Sequence, residues 1–333
     1  YNGVNSASAL ENPTPLTNLV QCISLLLIPF ALVFSFGRFV ADRRQGRAIF
    51  AAMFIVLVAS LAVIAFFEQG GTPQLAADGS VYMGTYDQSG GNMGGKEARF
   101  GVTDSSLWAA FTTAASNGSV NSMHDSYTPI GGMVPIVLMA LGEVVFGGVG
   151  CGLYGMLGFV ILTVFIAGLM VGRTPEYLGK KIGPKEMRMA VILCITTPLL
   201  ILVGAGIMSL DPATANSLNN PGVHGFSEVL YAATSAGGNN GSAFAGLNGN
   251  TPLINLVLGF EMLANRFIPI AAVCVLAGSL AVRPKVATSA GTLSTSNALF
   301  VFLLVLMVLL IGALTMFPAL ALGPVAEQLM MVL

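Results

Sequence analysis

The sequence is short of charge. Aspartate, glutamate, lysine and arginine make up only 9% of its 333 residues, whereas a soluble globular domain carries about 25%. Hydrophobic residues make up 55%, and several runs reach the ~20 apolar residues that one bilayer crossing needs. Barrel strands alternate in short segments rather than forming continuous apolar runs. The composition therefore predicts an all-α polytopic membrane protein.

Other scarcities exclude further classes of function. A net charge of −1 leaves no basic surface for nucleic acid. The two histidines, His124 and His224, have no second ligand spaced to join them, so we expect interfacial or hydrogen-bonded roles rather than metal binding. Four cysteines lie in apolar stretches without metal-ligand spacing and read as small buried hydrophobes: Cys22, Cys151, Cys194 and Cys274. The sequence predicts no cofactor.

Lysine and arginine are concentrated in three connections between apolar segments. Eleven of the fourteen basic residues follow the first, third and fifth of these segments. Because basic loops favour the cytoplasm, we expect these connections inside and segments 68–105 and 211–225 outside. The apolar segments, each expected to cross once, are 16–40, 47–67, 129–172, 188–210, 252–281 and 298–323.

The segment 129–172 is long enough to cross twice, yet the charge pattern requires it to start outside and end inside. Its centre, "GEVVFGGVGCGLYG", is rich in glycine and poor in helix propensity. We therefore predict one crossing broken in the middle, with irregular backbone at membrane depth, which must be buried in protein or line an aqueous cavity. The alternative, two crossing helices joined by an unusual loop, places five basic residues outside.

An internal repeat stands out between the crossing segments. Residues 107–119, "LWAAFTTAASNGS", match residues 230–242, "LYAATSAGGNNGS", at six of thirteen positions without gaps. The register holds to a Thr-Pro pair at 128–129 and 251–252, where an apolar run begins, and a third such pair stands at 14–15. Each repeat reads as a crossing helix, a short outside helix, a polar loop and another crossing helix.

The short helices and their loops are predicted to bind a monovalent cation. Asp104 and Ser227 are plausible N-caps, and the negative end of each helix dipole then points into the membrane. Neither loop contains a carboxylate, which disfavours a divalent ion. The alternative is a pair of exposed turns. Backbone carbonyls and side-chain oxygens can replace the shell of water around the ion, and glycines can aim the carbonyls inward: Thr113, Ser116, Asn117, Gly118, Gly237, Gly238, Asn239, Asn240 and Gly241.

Charges inside the apolar segments are costly and usually face partners or water. Glu143 and Arg266 lie 123 residues apart, the spacing of the repeat, and Glu261 is a third such charge. We hypothesise that Glu143 gates an ion path and that Arg266, paired with it across the pore, limits leakage of cations. The alternative is that each charge only fixes helix packing.

Several long strings, spread over nearly the whole chain, are specific enough to compare with known families. They are "ENPTPLTN" (11–18), "GKEARFGV" (95–102), "GGMVPIVLMALGEVVFGGVGCGLYGM" (131–156), "GRTPEYLGKKI" (172–182), "HGFSEVLYA" (224–232), "NNGSAFAGL" (239–247) and "GALTMFPALALGPVAE" (312–327). These strings resemble the KdpA family, the potassium-binding subunits of the bacterial ATP-driven potassium importer, within the superfamily of potassium transporters. At 117 the chain has asparagine where this resemblance leads us to expect a small residue or cysteine.

The resemblance implies four pore units around one potassium path, with a filter loop in each. The first unit and the second filter are then expected before Tyr1 of this chain. The resemblance further implies that potassium is the transported ion and that it is held around 116–118 and 239–241. The division implied is 1–46 for the end of the second unit, 47–187 for the third with its filter at 104–120 and its broken helix at 129–172, 188–285 for the fourth with its filter at 226–243, and 286–333 for a final crossing helix.

The resemblance also implies partners in a bacterial inner membrane. No phosphate-cradling G-x-x-x-x-G-K-[ST] occurs, so ATP hydrolysis is expected in a P-type ATPase subunit, with small accessory membrane subunits beside it. Ions would leave sideways toward that subunit because the loop Gly142–Gly150 blocks the direct path. Arg173 would anchor this element, although "RTPEY" is equally a plain helix stop. The alternatives are a stand-alone potassium channel or symporter and, far less supported, an intramembrane enzyme.

Overall fold

A computed structural model describes residues 7–71, 90–148, 151–286 and 292–332. The described chain is mostly helical, as the composition predicts. Its elements in chain order are α1 Pro15–Phe39, α2 Arg43–Gly70, α3 Gly101–Ala114, a 3₁₀ turn His124–Ser126, α4 Pro129–Ala140, α5 Cys151–Met170, β1 Glu176–Tyr177, β2 Lys180–Lys181, α6 Pro184–Ser209, α7 Pro212–Ala215, α8 Val223–Gly238, α9 Pro252–Val282, α10 Ala298–Leu320, a π turn Ala321–Val325 and α11 Ala326–Val332.

Six helices are long and apolar enough to cross a membrane, which confirms the predicted fold class. The last of them continues through the π turn, where Gly323 kinks the chain between α10 and α11. The six spans are Pro15–Phe39, Arg43–Gly70, Cys151–Met170, Pro184–Ser209, Pro252–Val282 and Ala298–Met331.

The Thr-Pro pairs at 14–15, 128–129 and 251–252 each begin a helix. The hydroxyls of Thr14, Thr128 and Thr251 accept hydrogen bonds from backbone amides in the first turns of α1, α4 and α9. Proline follows each threonine at the first helical position, where its missing N–H costs nothing. At these three places the pair marks the entry of the chain into an apolar helix, and for 128–129 and 251–252 this agrees with the register of the repeat.

The N-caps predicted for the two short helices are wrong. The helix α3 begins at Gly101 and α8 begins at Val223, several residues before Asp104 and Ser227. Gly101 and Gly222 have φ of 66° and 91°, a backbone that glycine adopts at little cost. The glycines turn the chain into each helix earlier than a side-chain cap does, so both predicted caps lie inside the first turns.

The predicted break in segment 129–172 is confirmed. The helix α4 has 12 residues, about 18 Å at 1.5 Å per residue, which is too short to cross a bilayer alone. Residues 141–148 then follow an irregular path before α5 begins. Gly142, Glu143, Phe146 and Gly147 all have positive φ there, a conformation that a continuous helix cannot contain. Residues 149 and 150 of the predicted barrier loop lie outside the described residues.

The three basic connections meet at one end of the helices. The amide of Val286 donates to the carbonyl of Gly179 at 2.7 Å, and Arg283 pairs with the buried Glu186 at 2.8 Å. Phe36 and Phe39 in the last turn of α1, next to the first connection, line a groove together with Tyr177 of the hairpin. The chain thus gathers its excess positive charge at the end of the bundle where these connections lie.

Candidate functional site

The loop after α3 is held by its own hydrogen bonds. The amide of Asn117 donates to the carbonyl of Thr112 at 2.9 Å, and the amide of Ser119 donates to Oδ1 of Asn117 at 2.7 Å. The Thr112 hydroxyl bonds the carbonyls of Asn117 at 2.6 Å and Ser119 at 2.7 Å. Ser116 has a φ of 55°, so the chain leaves the helix through a left-handed residue.

The loop after α8 repeats this arrangement 123 residues later. The amide of Asn240 donates to the carbonyl of Ser235 at 3.2 Å, and the amide of Ser242 donates to Oδ1 of Asn240 at 2.9 Å. Asn239, the counterpart of Ser116, has a φ of 62°. The asparagine at 117 therefore does the same work as Asn240: its side chain closes the loop on the serine two residues ahead.

The two loops touch each other. A Cβ added to Gly118 would overlap the carbonyl oxygen of Asn240, and it would also lie 3.2 Å from the carbonyl carbon of Gly241. The absence of a side chain at 118 therefore sets how closely the loops approach. Ser116, Asn117, Asn239 and Asn240 are half-buried and Gly241 is exposed. The structure thus brings both predicted cation-binding loops to one place.

Thr113 is the predicted loop residue whose hydroxyl is turned to its own helix. It is fully buried, and its hydroxyl donates to the carbonyl of Ala109 at 2.7 Å. Gly237 and Gly238 are the last residues of α8; the Gly237 carbonyl accepts from the Asn265 amide. The Thr113 hydroxyl and the Gly237 carbonyl therefore already have hydrogen-bond partners within the protein.

Glu143 lies in the break, directly beside both loops. It is 3% exposed, and its Oε1 accepts from Nδ2 of Asn240 at 2.8 Å. Its other polar neighbour is Ser116. Among the described residues no ion pair joins it to Arg266, so the predicted partner of Glu143 is replaced by an amide of the neighbouring loop. Electrostatic attraction between the two charges still operates, because both line one cavity.

That cavity lies between the break, the end of α8 and the middle of α9. Its volume is about 50 Å³, room for a few water molecules at roughly 10–15 Å³ each. The residues around it are mostly polar or glycine, so it suits a partly hydrated ion rather than an apolar ligand. Its lining includes Gly142, Glu143, Gly237, Gly238, Asn239, Asn265 and Arg266.

The break also closes against the end of α3. The amide of Gly147 donates to the carbonyl of Ala114 at 2.8 Å, which satisfies one of the carbonyls that a helix end leaves free. A Cβ on Gly148 would lie 3.4 Å from the Cβ of Ser116. The irregular segment 141–148 is thus in contact with the left-handed residue at which the first loop begins.

Two further predicted charges lie away from the loops. Arg173 is exposed just after α5, and its amide donates to the carbonyl of Gly168 at 2.8 Å. This is the geometry of a helix stop. Glu261 is 2% exposed beside Gly204 of α6, and neither carboxyl oxygen has a hydrogen-bond partner within the described part of the chain.

Both histidines are hydrogen-bonded near the opposite end from the basic connections. His224 has Nε2 3.0 Å from Asp125 and Nδ1 2.7 Å from Glu327. Burial alone lowers the pKa of His224, but these two carboxylates raise it to about 10. Asp125, His224 and Glu228 could each bring one ligand atom to a metal. Both ring nitrogens of His224 are already hydrogen-bonded to carboxylates, however, and its protonated ring supplies the positive charge that a metal would bring.

His124 is in a different electrostatic state. It is 1% exposed, and its Nδ1 lies 2.8 Å from the hydroxyl of Tyr231. Burial, together with the nearby charge of Lys96, lowers the pKa of His124 to about 3. The imidazole is therefore neutral at ordinary pH.

Sequence reasoning missed the side chains behind the loops. Thr112, Trp108 and Ser119 fasten the first loop, and Tyr231 and Ser242 fasten the second. The signal was available, because the same offset of 123 residues relates Trp108 to Tyr231 and Ser119 to Ser242. These positions lie inside the aligned repeat but were not singled out as site residues.

Taken together, these features define a class: a polytopic helical membrane protein with two repeated units, each with a short helix ending on a polar loop. Within that class the chain belongs to the family KdpA, described as "Potassium-transporting ATPase A subunit", which matches residues 1–329.

Curated relatives share this description over almost the whole chain. The potassium-transporting ATPase potassium-binding subunit of Clostridium botulinum (strain Eklund 17B / Type B) is 66% identical over 327 residues, 98% of this chain and 56% of the relative. That of Desulfovibrio desulfuricans is 62% identical over 335 residues, 99% of this chain and 58% of the relative. That of Paracidovorax citrulli is 57% identical, covering 98% and 54%. The chain thus spans little more than half the length of these relatives.

Proposed function

We propose that this chain forms part of a potassium-selective path that takes up potassium for an ATP-driven importer. The observation that carries the proposal is the contact at Gly118 and Asn240 between two loops that repeat the same two backbone-donated hydrogen bonds. Loops so built present carbonyl and side-chain oxygens from two units to one point. Such rings of oxygens replace the hydration shell of a monovalent cation.

The choice of ion and the need for a partner follow from the loops and from the relatives. Neither loop contains a carboxylate, so a divalent ion has no charged ligand there. The relatives are named potassium-binding subunits of a potassium-transporting ATPase. We infer that a P-type ATPase subunit hydrolyses ATP for this chain and that small accessory membrane subunits join the complex. The stand-alone channel or symporter is the less favoured alternative because of those names.

The residues are proposed to act in sequence along the path. Ser116, Asn117, Gly118, Asn239, Asn240 and Gly241 form the filter, with Thr113 supporting its helix. Glu143, held by Asn240 beside the cavity, gates the exit, and Gly142 allows the turn that places it. Arg266 repels cations that pass the filter directly, and Arg173 ends the broken element.

The proposed setting is a bacterial inner membrane, with both loops facing outside and the basic connections in the cytoplasm. The units remain as proposed from the sequence: 1–46, 47–187, 188–285 and 286–333. The remaining pore units of the same protein complete the path.

The filter assignment is tested with Gly118→Ala in the full-length protein within its complete complex. The added methyl group must push the two loops apart, because the Asn240 carbonyl occupies its place. We expect the potassium concentration that gives half-maximal ATPase activity to rise about ten-fold or more, since one lost ion ligand is worth roughly 1.4 kcal/mol or more.

Gly206→Ala is the matched control, because a Cβ at Gly206 in α6 meets nothing within 4 Å. That variant is expected to keep the apparent affinity of the unaltered complex. An apparent affinity in Gly118→Ala equal to that of Gly206→Ala would refute the filter assignment.

A further inference from the structure

A buried chain of hydrogen bonds lies behind the second loop. The hydroxyl of Tyr231 in α8 lies 2.8 Å from Nδ1 of His124 and 2.9 Å from Oγ of Ser242. The Ser242 hydroxyl lies 2.9 Å from Oδ1 of Asn240, and Asn240 donates to Glu143 at 2.8 Å. The chain joins a residue that follows the first loop to the carboxyl in the break, and it passes through the second loop.

Four of the five residues in this chain are closed to solvent, and Asn240 is half-buried. Tyr231 is fully buried, and His124, Ser242 and Glu143 are 1%, 6% and 3% exposed. Buried polar groups that lose a partner cannot turn to water, so each loss carries its full desolvation cost. The Tyr231 hydroxyl is the central link, because it is the group that touches both His124 and Ser242.

The first loop has an equivalent contact at the equivalent position. Trp108 of α3, the counterpart of Tyr231, donates from Nε1 to the carbonyl of Ser119 at 3.1 Å. Ser119 is in turn the counterpart of Ser242. An indole in one unit and a phenol in the other thus hold the same serine of each loop, through different atoms. The recurrence of the contact with different chemistry indicates a role in shaping the loops.

We propose that Tyr231 is a positioning residue for ion selection: its hydroxyl fixes Ser242, and through Ser242 the side chain of Asn240 and the carbonyls of 239–241. The inference rests on the proposed filter function and names what holds that filter in shape. Selection among ions of similar charge depends on how closely the oxygens keep their positions. Loss of the hydroxyl should therefore change the discrimination between ions as well as the stability of the loop.

The test is Tyr231→Phe in the full-length protein within its complete complex, assayed by ATPase activity against potassium and against rubidium. Phenylalanine keeps the ring and its stacking on Phe244, at 4.1 Å between centroids, and removes the hydroxyl alone. We expect the apparent KM for potassium to rise about ten-fold, the free-energy equivalent of one buried hydrogen bond. The ratio of rubidium KM to potassium KM should shift as well, while kcat stays within about two-fold.

Tyr177→Phe is the matched control. Tyr177 is also buried, but its hydroxyl has no hydrogen-bond partner within the described residues, and it lies in β1 at the basic end. This variant should keep both KM values. Equal KM values and an equal ratio in Tyr231→Phe and Tyr177→Phe would overturn the inference.

If the complex with Tyr231→Phe does not assemble, a second variant tests the same inference. Ser242→Ala removes the next link with a smaller change of volume, and it is expected to shift the same ratio in the same direction. Where both single variants assemble, the double variant should shift the KM by less than the product of the single shifts, because both remove one chain. Strictly multiplicative effects, or an unshifted ratio in Ser242→Ala, count against the inference.

The outcomes also separate this inference from the filter assignment. A shift in Gly118→Ala without one in Tyr231→Phe leaves the filter in place and removes the role of Tyr231. No shift in either variant removes the filter assignment itself.

Discussion

Three polar residues near the proposed path have a left-handed backbone. Ser116, Glu143 and Asn239 have φ of 55°, 53° and 62°. Asparagine tolerates this region, whereas for other side chains it costs of order 1–3 kcal/mol and persists only where the surroundings enforce it. Burial and the hydrogen bond from the side-chain amide of Asn240 hold Glu143 in this backbone conformation. Its backbone strain and its buried carboxyl occur at the one site where a gate is proposed.

Replacing Glu143 by glutamine tests that gate. Glutamine keeps an oxygen for Asn240 but removes the negative charge opposite Arg266, and a charged hydrogen bond exceeds a neutral one by about 1 kcal/mol. We expect rubidium uptake by proteoliposomes with the complete complex to fall several-fold, at an unchanged amount of assembled complex. Glu97→Gln, at an exposed carboxyl, is the control. Uptake equal to that of the control would end the gating proposal.

At the scale of elements, the C-terminal end of α2 holds several segments together. Glu68 is fully buried and accepts from the amide and hydroxyl of Thr128, both at 2.7 Å, and from Lys96 Nζ at 2.6 Å. The same Lys96 lies 4.0 Å above the ring of Tyr127. One carboxylate therefore ties α2, the start of α4 and the string "GKEARFGV" to one another.

Breaking this ion pair should destabilise the protein strongly. Lys96→Met leaves Glu68 as an uncompensated buried charge, which typically costs 3–5 kcal/mol, roughly the penalty of opening a buried salt bridge. We expect a lower midpoint of thermal unfolding in detergent. The double variant with Glu68→Gln should recover part of that loss, because no buried charge remains. A double variant that loses the sum of both single losses would contradict the arrangement.

The clamp of His224 between Asp125 and Glu327 predicts a pH dependence for the docking of α11 on α8. The folded pKa of about 10 lies above the ordinary 6.5, so the stabilisation is complete below about pH 6.5. It is lost as the pH rises through about 10. Glu228 is the further carboxyl facing this imidazolium, and protonation of His224 offsets the repulsion among the three.

Hydrogen exchange of residues 326–332, corrected for intrinsic rates, measures that docking. Protection should decline between pH 6.5 and 10 in the unaltered protein and stay low and level in His224→Gln. Protection that is level over the same range in the unaltered protein would contradict the clamp.

The elements could be predicted from the sequence where a local pattern decides them. The helix-starting Thr-Pro pairs and the glycine-rich break act through local backbone conformation, which the sequence displays. The offset of 123 residues can be read directly from the aligned repeat. The starts of α3 and α8 could not be predicted in this way. The sequence offers Asp104 and Ser227 as ordinary N-cap residues, whereas the helices begin earlier, where Gly101 and Gly222 adopt positive φ. The sequence also could not separate Thr112, which fastens a loop, from Thr113, which bonds its own helix. The link from Glu143 to Asn240 depends on packing between units.

At the scale of the whole molecule, charge is divided between two ends. The basic connections gather at one end, while Asp125, His224 and Glu327 gather where α8 meets α11. The positive-inside rule then favours the orientation proposed above. Both proposed filter loops follow helices that start at the acidic end, so this proposed orientation predicts that they are accessible from outside.

Cysteine labelling in intact cells tests this orientation. In full-length protein without its native cysteines, Gly249→Cys and Lys181→Cys place one thiol each at exposed positions at opposite ends. A membrane-impermeant maleimide should label position 249 in intact cells and position 181 only after permeabilisation. The reverse pattern would invert the proposed topology.

The contact between Gly118 and Asn240 has a consequence for how the repeat can change over time. Duplicated segments usually drift apart, because each copy tolerates its own substitutions. Here the room for one copy is set by the backbone of the other, so a larger residue at 118 requires a compensating shift at 240. Substitutions at 118 are therefore coupled to the backbone position of 240, even where the helices around the two loops differ.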